Sequence, residues 1–118
     1  MNTMDDKFAL KSNSAGIRLI AQMTIYNSGD FDRLRRLIED SYSDDLLGLR
    51  ATDEWVALFK DLHLRLGKLR VTQVLALDKY QVVVLMLAQN DGAFYIHDLK
   101  VDPEYPHKVI GYSEYAVA

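Results

Sequence analysis

The period of the apolar residues changes once along this chain, at Gly67. Before it, apolar side chains return every three or four residues. Trp55, Leu58, Phe59, Leu62 and Leu66 are the clearest case, at i, i+3, i+4, i+7 and i+11. After it, the apolar residues come in short runs broken by turn residues. A 3.6-residue period puts one face of a helix into a core, and a two-residue period does the same for a strand. Helices followed by strands, with no alternation between the two, make an α+β chain rather than a wound parallel one.

The helical half divides at its caps. Residues 1–13 are polar and unpatterned, and are expected to form a loose N-terminal tail, with a single domain over 14–118. Ser12, Asn13 and Ser14 offer caps for a first helix carrying Ile17, Leu19, Ile20, Met23 and Tyr26. Gly29 can close it in the left-handed conformation. Asp30 caps a second helix whose core face is Phe31, Leu34, Leu37, Ile38 and Tyr42. The pattern breaks from Ser41 to Gly48. Thr52 is expected to cap the third helix, with Asp53 and Glu54 in the first turn, where the helix dipole favours acids.

Four strands are expected at 69–77, 80–89, 93–101 and 107–117. Asp78-Lys79 and Asn90-Asp91-Gly92 read as hairpin loops. Asp102, Pro103 and Pro106 stiffen the last connection. Consecutive strands joined this tightly form a meander, hence an antiparallel sheet. Gly111 inside the last strand marks a possible bulge.

The second strand, Val82 to Ala88, is apolar on both faces. A sheet with one solvated face should alternate, so both faces of this strand should be covered. Three helices cover one side of four strands. The second cover is expected to be another copy of the chain, since two-fold homo-oligomers are the commonest assemblies. Val82, Val84, Met86 and Ile96 are the expected dimer interface. On the third strand, Tyr95, His97, Leu99 and Val101 are expected to face the helices, and Asp98 the opposite side.

Composition closes off several functions. The chain has 118 residues and no cysteine, so disulfides and thiolate chemistry are absent. A net charge of -3, with Arg33, Arg35 and Arg36 flanked by acids, gives no nucleic-acid footprint. No apolar run reaches membrane-span or signal-peptide length, so a cytoplasmic protein without a membrane anchor is expected. His63, His97 and His107 show no ligand spacing, so neither a metal nor another cofactor is expected. No phosphate-binding glycine loop and no nucleophile elbow is present.

Tyr26-Asn27-Ser28-Gly29-Asp30-Phe31-Asp32-Arg33-Leu34 resembles the helix-to-helix joint of the nuclear transport factor 2-like superfamily. Pro106-His107-Lys108-Val109-Ile110-Gly111 is similar to the entry to the last strand in the short form found beside serine hydrolase domains. The resemblance spans about residues 15 to 116. It implies three helices on a curved four-stranded antiparallel sheet, a cone-shaped, cystatin-like domain that pairs through its sheet. Family members include ketosteroid isomerase-like and polyketide cyclase-like enzymes as well as binding modules. This chain departs from the enzymes in lacking early strands before the third helix, and no equivalent of their catalytic Asp-His or Asp-Tyr pair can be placed.

Tyr26, Trp55, Tyr95 and His97 are therefore the candidate lining of an internal pocket. His97 as general base and Tyr95 as oxyanion donor are the candidate catalytic pair, two residues apart on one strand face. Core packing is the competing reading for all four. Two functions stay open: a homodimeric, non-catalytic module for a small apolar ligand or a protein partner, and an isomerase- or cyclase-like enzyme. A purely structural dimerisation module is the third.

Overall fold

The computed structural model describes residues 9–117. After a helical segment that includes residues 9–11, four helices follow: α1 (Ser14–Ser28), α2 (Phe31–Ser41), α3 (Asp44–Leu49) and α4 (Thr52–Leu66). Four strands follow: β1 (Leu69–Asp78), β2 (Gln81–Ala88), β3 (Phe94–Val101) and β4 (Val109–Ala116). They form one antiparallel sheet in the order β1-β2-β3-β4, open at both edges. The α+β class, the switch at Gly67 and the meander are as the periodicity predicts. Among the described residues, no helix is long and apolar enough to cross a membrane.

The caps explain the helix boundaries. Asn13 starts α1, its Oδ1 accepting from the Gly16 amide at 2.9 Å. Gly29 ends it with φ 75°, a conformation costly for any residue with a Cβ. Asp30 starts α2, accepting from the Arg33 amide at 3.1 Å. Helix α3 was not foreseen. At six residues it is too short to show a period, yet Ser43 Oγ caps it on the Leu46 amide at 3.1 Å and Leu46 is buried. Thr52 is not a cap. Ala51 holds that position without a side-chain bond, and Thr52 is the first residue of α4.

The expected tail needs the same correction. Residues 9–11 are helical, and Leu10 is 1% exposed in the core. The rest of that tail, residues 1–8, lies outside the described residues. Gly16 lets this segment cross α1 closely: a Cβ there would fall inside contact distance of the Leu10 backbone.

On one face of the sheet, α1 packs against β2 and β3, α3 against β4, and α4 reaches Tyr112, while α2 packs on α1 and α4. That face is read off the register. Val82 pairs with Leu99, Val84 with His97 and Met86 with Tyr95. Val82, Val84, Met86, His97 and Leu99 are all fully buried against the helices. The assignment of Val82, Val84 and Met86 to a dimer interface is therefore corrected. Directly paired residues of an antiparallel sheet share a face, so placing His97 inward forces these three inward too. A strand apolar at every position leaves its parity undetermined by pattern alone. Ile96 does lie on the far face, paired with Leu85 between β2 and β3 and with Tyr115 on β4. The Gly111 bulge is present, as a register shift between Lys100↔Gly111 and Val101↔Val109.

Candidate functional site

Tyr26, Trp55 and His97 meet in the middle of the helix–sheet layer, but as packing rather than as the walls of a cavity. Tyr26, on α1, lies edge-on to Phe59 at 6.2 Å, and its hydroxyl donates to the Gly67 carbonyl at 2.7 Å. Trp55, on α4, packs against Tyr42, Phe59 and Tyr112, with the Arg50 guanidinium 4.7 Å over its ring. Phe59 stacks on Tyr112 at 5.6 Å, and Tyr112 reaches His97. Aromatic rings at these separations add attraction beyond the area they bury.

His97 is 0% exposed. Its Nδ1 lies 2.5 Å from the Tyr112 hydroxyl, and its Nε2 has no hydrogen-bond partner within the described chain. Desolvation pushes its pKa down to about 3, so the ring is neutral across the physiological range. Desolvation likewise raises the Tyr26, Tyr42 and Tyr112 hydroxyls. Tyr95 shares the strand face with His97 but leaves it at the tip. Its hydroxyl donates to Asp91 Oδ2 at 2.7 Å, which raises the phenol. The Asp91 carboxyl is held below its usual range, chiefly by the Ala93 amide and then by Tyr95. The proposed acid–base pair is thus divided between two environments. His97 is sealed against a second tyrosine, and Tyr95 is tied to the β2–β3 hairpin.

Two polar residues of this layer escaped the sequence reading. Gln22, also buried, accepts from the Tyr42 hydroxyl at 2.6 Å through Oε1. Glu114 lies opposite His97 in the β3–β4 register, half-buried, with its carboxyl raised by desolvation against the opposing pull of Arg65. The spacing of Tyr112 and Glu114 on β4 held the signal, but the bulge at Gly111 hid which face they occupy.

The open concavity lies elsewhere, at the edge of the sheet. A cleft of about 750 Å³ runs between α1, residues 10–11 and the start of β1. Ile20 and Met23 line it from the helix, Leu69 and Val71 from the strand, and Leu10 from the N-terminal turn. Asn27 fixes its floor. The side-chain amide of Asn27 donates to the Leu69 carbonyl at 2.8 Å, and its oxygen accepts from the Leu69 amide at 2.9 Å. This reciprocal pair satisfies the edge of β1 where another strand would otherwise bond. None of Tyr26, Trp55, Tyr95 or His97 contributes to the lining. No group of three or more metal-ligating side chains occurs among the described residues.

Comparison with family models, curated proteins and solved structures yields no match for this chain. Its function is therefore argued from its own geometry.

Proposed function

We propose that this chain is a non-catalytic, homodimeric binding module that takes a small apolar ligand in the cleft between α1 and β1. The cleft carries the reading. Its volume falls within the range of small-molecule sites, roughly 300–1,000 Å³, and its walls are aliphatic with a few polar groups at fixed positions. Against this stands a histidine closed on every side, which offers a substrate no approach and so weakens the isomerase- or cyclase-like alternative. The order of elements supports kinship with nuclear transport factor 2-like domains, but a shared fold does not set a function.

The far face of the sheet supports the homodimer. Val83, Leu85 and Leu87 lie half-exposed along its centre, flanked by Phe94, Ile96 and Tyr115. The described residues leave this face part-exposed, with Phe94 at 43% and Tyr115 at 51%. A contiguous apolar patch of this kind is the usual mark of a partner surface.

Two experiments test the module. Displacement of an environment-sensitive apolar dye by small apolar compounds should saturate in the full chain. It should be lost in Thr24→Trp, which fills the cleft from an exposed position on α1. Equal dye binding by both proteins rejects the cleft. Light scattering should give twice the 13.5 kDa chain mass, falling to one chain mass in Leu85→Lys. A 13.5 kDa species for the unaltered chain at micromolar concentration rejects the dimer.

A further inference from the structure

The rim of the cleft has a chemistry that its walls do not. Lys11, Lys68 and Arg70 all line it, and all three are exposed. No aspartate or glutamate among the described residues lines it. This is a concentration of one sign in a chain whose acids outnumber its bases, 17 to 14. Arg35 pairs with Asp53 and Arg65 with Asp61 at 2.9 Å, whereas Lys11, Lys68 and Arg70, like most of the bases, have no ion pair among the described residues.

The backbone that carries two of these cations is held in place. Lys68 donates its amide to Gln89 Oε1 at 3.2 Å and accepts from the Gln89 amide at 3.0 Å through its carbonyl. Arg70 pairs with Leu87 in the β1–β2 register. Leu69, between them, is pinned by Asn27. Lys68 thus stands just before β1, and Arg70, on the far face with Leu87, borders the cleft at the open edge of the sheet, opposite the Leu69 and Val71 side. Cations at the mouth of an apolar cleft focus the field on an incoming anion.

We propose that the natural ligand is an amphipathic anion, a single aliphatic chain ending in a carboxylate. The chain lies along Ile20, Met23, Leu69 and Val71, and the carboxylate is held by Lys68 and Arg70. This rests on the apolar-ligand reading above and adds the head group to it. A carboxylate of this class is ionised at neutral pH. Arginine receives it through two parallel N–H donors, lysine through a point charge.

The test compares decanoate with 1-decanol on the full chain, by displacement of the apolar dye. Decanoate should bind roughly tenfold tighter than the alcohol, and each added methylene should tighten both by up to roughly fourfold. In the Lys68→Gln, Arg70→Gln double variant, decanoate should fall to the level of the alcohol, while the alcohol keeps its affinity. Raising the salt should weaken decanoate alone. Equal binding of acid and alcohol to the unaltered chain overturns the head-group assignment and leaves the apolar cleft standing. Failure of both to bind overturns the two readings together. A decanoate preference that survives the double variant also overturns the assignment, because the carboxylate is then held elsewhere.

Discussion

Strand β2 carries aliphatic side chains on both faces, and the two faces have opposite fates. Val82, Val84 and Met86 are 0% exposed beneath the helices. Val83, Leu85 and Leu87, one residue along, stay half-exposed on the far side. The chemistry of the six side chains is alike, so the difference comes wholly from what each face meets. Helices α1 and α4, with rings at Tyr26, Trp55 and Phe59, bury the inner face. The outer face is left part-exposed by the described residues. Apolar composition alone therefore says that a face wants cover, but not whether the cover is the same molecule.

The sharpest way to break this comparison is to delete equal chemistry from each side. Met86→Ala leaves a void in a sealed layer and should cost about 3 kcal/mol, within the range for buried methionine or leucine. Leu85→Ala, measured by urea unfolding at high dilution, should cost under about 1.5 kcal/mol, because solvent already reaches that side chain. Equal losses would mean that the outer face is packed within the monomer, and the proposed dimer surface would not exist.

The same comparison shows where sequence reasoning succeeded and where it ran out. The period switch at Gly67, the caps Asn13 and Asp30, the left-handed Gly29 and the hairpin at Gly92 were legible because each is a local rule with a local physical cause. The inward direction of His97 and Leu99 was legible too, from the outer half of β3. The parity of β2 was not, since an all-apolar strand satisfies either choice. Transferring the β3 assignment across the register would have settled it. Helix α3 was hidden by its length, and the cleft by its construction from four segments: residues 10–11, α1, 68–71 and 87–92. Lys68 and Arg70 look like ordinary solvated strand residues until α1 is set beside them. Tyr26, Trp55 and His97, expected around a pocket, are buried among other rings and do not line the cleft.

The inner face also differs in how it answers to pH. An unfolded chain protonates His97 near pH 6.5, whereas the folded core resists until about pH 3. Between these values the unfolded state binds the extra proton, so stability falls as the pH falls. At 1.36 kcal/mol per pH unit, the drop from pH 7 to pH 4.5 due to His97 should be about 3 kcal/mol. Glu114 acts in the opposite sense. Its raised carboxyl binds a proton more readily when folded, which offsets part of the loss just above its ordinary range. Urea midpoints at the two pH values, for the unaltered chain and for His97→Gln, isolate the histidine. If both proteins lose the same stability on acidification, His97 is not sealed in the way its burial implies.

The smallest expected effect comes from a polar pair on the outer face. Asp98 lies opposite Val83 in the register, and its Oδ1 accepts from the Gln81 side-chain amide at 3.0 Å. Both residues are half-exposed, so the bond replaces water contacts that each group would otherwise keep. Its net worth to the monomer should then be about 0.5–1.5 kcal/mol at most. Asp98→Ala should fall near the low end in dilute urea unfolding, since Gln81 turns back to solvent at little cost. The same change removes a charge from the edge of the Leu85–Ile96 patch, so the chain-to-chain affinity measured by light scattering should hold or rise. A loss of 3 kcal/mol or more in the monomer would place Asp98 in a desolvated network, and the outer face would then be a second sealed layer rather than a surface awaiting a partner.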